Sequence, residues 1–127
     1  MYLLDSSVII GMNKFQEIKD EIISFIGEEE SATSSLSIHE VLIGSKTEKE
    51  FFVLSNLFSW FNIFNYDDKC AQISAEIYLH LKERGEMINQ FDILIASIAI
   101  KNDLTVVSYD KDFTKIPDLK VKIFDIN

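Results

Sequence analysis

The chain is predicted to be a single α/β domain built on a mostly parallel sheet. Two observations predict this. Short apolar segments alternate with helical stretches along its whole length, which implies crossover connections between parallel strands. In addition, 127 residues with 47% apolar content supply a core of domain size. The single Pro and four Gly leave no linker or low-complexity segment, and no internal repeat is apparent.

Met1 to Leu4 reads as a short buried strand, followed by a brief helical turn from Ser6 to Met12. Between Glu17 and Ile26, the residues Ile18, Ile22, Phe25 and Ile26 recur at helical spacing, and Gly27 ends the element. Ala32 to Leu36 is expected to be a second strand, with Ser37 as the N-cap of a helix reaching about Gly44. Glu48 to Ser59 gives a further helix. Phe61 to Tyr66 alternates like a strand, and Asp67 or Asp68 caps the helix after it. The apolar stripe of that helix, Cys70, Ile73, Ile77 and Leu81, stops at Arg84-Gly85. The helix that begins near Asp92 is apolar almost all round and should be buried. Leu104 to Ser108 is a strand, Asp110 to Ile116 a turn with a short helical piece, and Lys120 to Phe124 the last strand.

Four acids, Asp5, Glu40, Asp92 and Asp110, fall where apolar segments give way to polar chain or where helices begin. A parallel sheet gathers such positions at the carboxyl edge of its strands, where open sheets bind ligands. Each acid has an ordinary structural reading. Asp5 can cap the turn after it, and Ser37-Ile-His-Glu40 fits a capping box. Asp92 stands in a first helical turn behind Asn89, and Asp110 lies in a polar turn. Jointly they point elsewhere. Two unit charges about 5 Å apart repel by roughly 0.8 kcal/mol even in water, so four gathered carboxylates favour a cation among them. An all-oxygen set suits Mg²⁺ or Mn²⁺; His39 and His80 have no partners at zinc-ligand spacing. The resulting expectation is a metal-dependent site for phosphodiester cleavage, with Ser6, Ser7 and Ser108 orienting the carboxylates or a water.

Other chemistries lack their residues. The glycines are scattered, so no phosphate loop exists, and there is no Gly-x-Ser-x-Gly elbow. A net charge of -9 runs against nucleic-acid binding, although about four of those charges are the site acids and two bound divalent cations would add about four positive ones. No apolar run is long enough for a membrane span, and Asp5 breaks the N-terminal run before it would serve as a signal peptide. The lone Cys70 suits a reducing cytoplasm and a buried structural thiol. Between Phe51 and Trp60, six large apolar residues (Phe51, Phe52, Leu54, Leu57, Phe58, Trp60) exceed one helix face, so part of that helix is expected to meet a partner.

Several segments carry a family resemblance: Tyr2-Leu-Leu-Asp-Ser-Ser-Val-Ile-Ile10, Ser35-Leu-Ser-Ile-His-Glu-Val-Leu-Ile-Gly44, Asn89-Gln-Phe-Asp-Ile-Leu-Ile-Ala-Ser97 and Leu104-Thr-Val-Val-Ser-Tyr-Asp-Lys-Asp-Phe113. With the trailing Ile116 to Val121, they resemble PIN-domain proteins, and among those the small VapC-type toxins of toxin–antitoxin pairs. The resemblance runs nearly end to end. It implies a Rossmann-like three-layer sandwich and a Mg²⁺- or Mn²⁺-dependent endoribonuclease using a metal-activated water. Asp5, Glu40 and Asp92 match the core acidic triad; Asp110 is the fourth acid, with Asp112 as an assisting alternative. Ser6 and Ser108 keep the hydroxyl usual at their positions. Lys14, Lys46, Arg84 and Lys111 are candidate RNA contacts, each also readable as a solvated or helix-terminal cation. An antitoxin and a second copy of the chain are the expected protein partners. The rival readings are a receiver-like signalling domain and a catalytically silent PIN fold that only binds.

Overall fold

The computed structural model describes residues 1–125. Its elements are β1 (Tyr2–Leu4), α1 (Ser6–Lys14), α2 (Gln16–Ile26), β2 (Ser31–Ser34), α3 (Ser35–Leu42), α4 (Glu48–Leu57), β3 (Asn62–Phe64), α5 (Asp68–Arg84), α6 (Gln90–Lys101), β4 (Thr105–Ser108) and β5 (Val121–Ile123). Single 3₁₀ turns cover Phe58–Trp60 and Lys111–Lys115. The five strands form one sheet in the order β3-β2-β1-β4-β5, and every pairing is parallel.

Alternation along the strands divides the core in two. Leu3, Ala32 and Val106 face one layer with Cys70, Ile77 and Leu81 of α5 and Ile93, Ile95, Ala96, Ile98 and Ala99 of α6. Leu4 and Val107, one residue further on, face the other layer with Val8, Ile9, Ile22, Ile26, Val41, Leu54 and Phe58. Both faces of β1 and β4 are therefore buried, which is why those strands read as unbroken apolar runs. The result is a helix–sheet–helix sandwich, as the alternation of elements implies.

The caps follow local chemistry with one correction. Asp67 Oδ1 accepts from the Cys70 N–H at 2.9 Å and starts α5; Gly85, at φ 67°, ends it. Asn89 Oδ1 accepts from the Phe91 N–H at 2.8 Å and starts α6. Ser37, however, is not the cap of α3. That helix begins at Ser35, and Ser34 Oγ accepts from the Ser37 N–H at 2.9 Å. A Ser cap is worth about 1 kcal/mol over Ala. The consequence for Glu40 is direct: it lies in the second turn, six residues past the cap, and no capping box holds it.

The sheet order places β1 at the centre. From it the chain crosses to β2 and β3 on one side and returns to β4 and β5 on the other. The crevice at the carboxyl ends of β1 and β4 is thus the topological switch point, where open α/β sheets bind ligands.

Candidate active site

Asp5 is the residue directly after β1. It is only 5% exposed, and its Oδ1 accepts from the Ser6 N–H at 2.9 Å, so it does cap α1. Capping uses one oxygen. The other, Oδ2, accepts from Ser108 Oγ at 2.9 Å and from Ser7 Oγ at 3.4 Å. Ser108 ends β4, and its Oγ also accepts from the Asp110 N–H at 3.0 Å, which ties the turn after β4 to the end of β1. Glu40 comes from α3, and Ser6 Oγ donates to its Oε1 at 3.4 Å. Asp92 enters from the first turn of α6.

These four acids are electrostatic neighbours. Burial pushes the Asp5 carboxyl above the usual range against the opposing effect of its hydroxyl and amide donors, and Asp110 raises it further. Glu40 is raised by burial and by Asp5, while Ser6 and His39 pull it back. Asp92 is pushed up to about 7, first by burial, then by the charges of Asp5 and Asp110, a hydrogen bond with Asp110 and the charge of Glu40. Among the described residues no ion pair reaches any of the four. Unpaired carboxylates in a partly buried crevice are costly in stability and are a mark of function.

The donor set fits a hard divalent cation. It is all oxygen, negatively charged and free of histidine, since His39 is exposed and stacked on Phe91 instead. Among the described residues, no three His, Cys, Asp or Glu side chains already form a closed metal-binding group. The carboxylates act on one another electrostatically without forming such a group.

The remaining candidates separate. Asp110 Oδ1 accepts from the Asp112 N–H at 2.9 Å and caps the 3₁₀ turn, which leaves its other oxygen for the crevice. Asp112 pairs with Lys115 at 3.1 Å, whereas Asp110 acts electrostatically on Asp5 and Asp92. Arg84 pairs with Glu86 at 3.0 Å beside the end of α5, the helix-terminal reading rather than a free RNA contact. Lys14, Lys46 and Lys111 are exposed, and Lys111 directly follows Asp110.

One positioning contact has no clear signal in the sequence. Thr33, fully buried in β2, donates through Oγ1 to the Leu4 carbonyl at 2.9 Å. The Asp5 N–H donates to the Val107 carbonyl at 3.0 Å. The peptide that carries Asp5 is therefore held from both neighbouring strands. A polar β-branched residue in a buried strand was the only hint.

A family model for the PIN domain matches residues 2–119. The chain belongs to the PIN-domain family. It is similar to ribonuclease VapC2 of Rickettsia felis, at 27% identity over 98% of both chains. It is 31% identical to ribonuclease VapC3 of Methanocaldococcus jannaschii, over 76% of this chain and 95% of that one. Among solved structures, this PIN domain resembles a chain of the VapBC2 complex of Rickettsia felis bound to a promoter DNA fragment, with a TM-score of 0.85, 26% identity and 98% coverage of both chains. FitAcB of Neisseria gonorrhoeae gives a TM-score of 0.81 at 26% identity, covering 95% of this chain and 96% of its own. The expected Rossmann-like sandwich is the observed fold.

Proposed function

We propose that this PIN domain is a Mg²⁺- or Mn²⁺-dependent endoribonuclease and the toxin of a type II toxin–antitoxin pair. The observation that supports the reading is the mutual electrostatic influence of Asp5, Glu40, Asp92 and Asp110, with no ion pair to any of them among the described residues. The similar proteins named ribonuclease VapC, and the VapBC complex among the similar structures, support the substrate class and an antitoxin partner. A receiver-like domain is disfavoured by Glu40, a poor phosphoacceptor in the mid-chain position.

Asp5 and Asp92 would be the principal ligands of the ion, with Glu40 and Asp110 completing the set. When bound, the ion supplies Lewis-acid activation of the scissile phosphate and of the attacking water. The chain's own hydroxyls keep the acids in place. Ser108 and Ser7 hold one oxygen of Asp5, Ser6 restrains Glu40, and the Ser108–Asp110 bond fixes the turn. Lys111, which directly follows Asp110, and the exposed Lys14 and Lys46 are the candidate contacts to the RNA backbone. The test is cleavage of structured RNAs by purified protein with Mg²⁺ or Mn²⁺ and with EDTA. Cleavage that requires the metal is expected. Cleavage unaffected by EDTA would remove the metal, and intact RNA under every condition would remove the nuclease.

The α4 region supports a protein partner. Leu54 and Phe58 enter the core, but Phe51, Phe52 and Val53 are exposed and Trp60 is 83% exposed. Of these, Phe51 joins Ile43 in lining a shallow groove with Leu42, Lys46 and Thr47. This surface would receive an antitoxin segment or a second copy of the chain. Light scattering should give a mass above the 14.6 kDa monomer, or the chain should co-purify with the product of an adjacent short gene. A monodisperse monomer that lacks such a neighbour would remove the idea.

A further inference from the structure

We infer that His39 and Phe91 form a base-stacking platform at the rim of the acidic crevice, holding a nucleobase of the RNA strand beside the scissile phosphate. The inference rests on the ribonuclease reading. His39 directly precedes Glu40 on α3, and Phe91 directly precedes Asp92 on α6. Each helix that carries an acid thus carries a ring one residue before it, and His39 is close enough to Glu40 to pull its carboxyl down. The rings are parallel to within 8°, with centroids 6.1 Å apart.

Phe91 packs against the core beneath α6, but packing does not account for the exposed His39 laid over it. The separation falls within the range for interacting rings, about 4.5–7 Å, so Phe91 holds the His39 ring in a fixed plane. His39 is exposed and Phe91 only half-buried, so the pair remains accessible to a ligand. A planar base laid on the exposed His39 ring would extend the pair to a stack of three, with Phe91 backing the histidine. Proteins that recognise single-stranded RNA stack splayed bases on aromatic and histidine side chains. The chain also needs a form of affinity that does not depend on charge. At -9 overall, it offers phosphates little general attraction, and stacking works on any base.

The probe is a stem–loop RNA library with a randomised loop, from which the cut position is read by sequencing the product ends. A cleaved sequence is then resynthesised with 2-aminopurine on either side of the cut. Binding to Asp5→Asn protein, which prevents turnover, should quench the fluorescence of one of the two bases. Adding His39→Ala or Phe91→Leu should abolish that quenching, and His39→Tyr should retain it. In the otherwise native enzyme, His39→Ala and Phe91→Leu should raise KM on the order of tenfold with kcat little changed. Quenching and KM unaffected in both variants would overturn the platform. So would a fall in kcat and in the denaturation midpoint with KM unchanged, because the pair would then only hold α3 against α6. If wild-type protein cleaves nothing in the library, the ribonuclease reading fails first and the platform with it.

Discussion

Asp5→Asn is expected to reduce RNA cleavage by on the order of a thousandfold or more while the fold survives. The amide keeps an oxygen for the Ser6 N–H, so the cap of α1 remains. It loses the charge that would bind the cation. It relieves a buried carboxylate with no basic partner among the described residues, but its amide nitrogen cannot accept from Ser108 and Ser7, so the two effects oppose and stability should change little. Single-turnover cleavage and a urea denaturation curve would be read on the same preparation. Asp92→Asn should behave alike. Cleavage within tenfold of wild type in either variant would end the assignment of these acids as principal ligands.

The second large effect concerns pH. In the absence of divalent cations the protein should be more stable at pH 5 than at pH 8. Asp92 is pushed up to about 7 from an ordinary 3.8, and Asp5 and Glu40 are displaced the same way. The unfolded chain releases these protons near pH 4, whereas the folded chain retains them to higher pH. Across that interval the folded state binds more protons than the unfolded state. Stability therefore falls as pH rises, and the loss is complete once Asp92 has ionised above about pH 7. Thermal denaturation in EDTA between pH 5 and 8 measures the slope, which Asp92→Asn should flatten. Millimolar Mn²⁺ should restore stability at pH 8 far more than at pH 5. A metal-free curve that rises over this range would contradict the arrangement of charges.

Much of this was legible before any coordinates. The stripe of α5 and the apolar surface of α6 are strong periodic signals, and Asp67, Gly85 and Asn89 are caps of ordinary chemistry. The start of α3 was not legible, because Ser34, Ser35 and Ser37 all offer a capping hydroxyl. Tertiary placement decides among them: Ser34 ends β2, and its hydroxyl is buried against that of Ser37 at 2.9 Å. The excess of apolar residues around α4 could be counted, but not divided. Only packing shows that Leu54 and Phe58 turn inward while Phe52 and Trp60 do not.

The site was legible as positions and not as contacts. Acids at segment ends can be recognised one at a time, and a parallel topology brings those ends to one edge. Which oxygen meets which hydroxyl depends on register between strands far apart in the chain. The Ser108–Asp5 and Thr33–Leu4 bonds are of that kind, as is the stacking of His39 on Phe91. Asp110 and Asp112 stand two residues apart in one polar turn, and only the fold shows that Asp112 meets Lys115 while Asp110 acts on Asp5 and Asp92.

The central position of β1 sets when activity can arise during synthesis. Its first neighbour, β2, follows within about thirty residues, but its other neighbour, β4, includes residues 105–108. Until that segment leaves the ribosome, Asp5 lacks both its Ser108 donor and the fourth acid. If the proposed ribonuclease site is the working one, a nascent chain lacks its assembled form for most of translation.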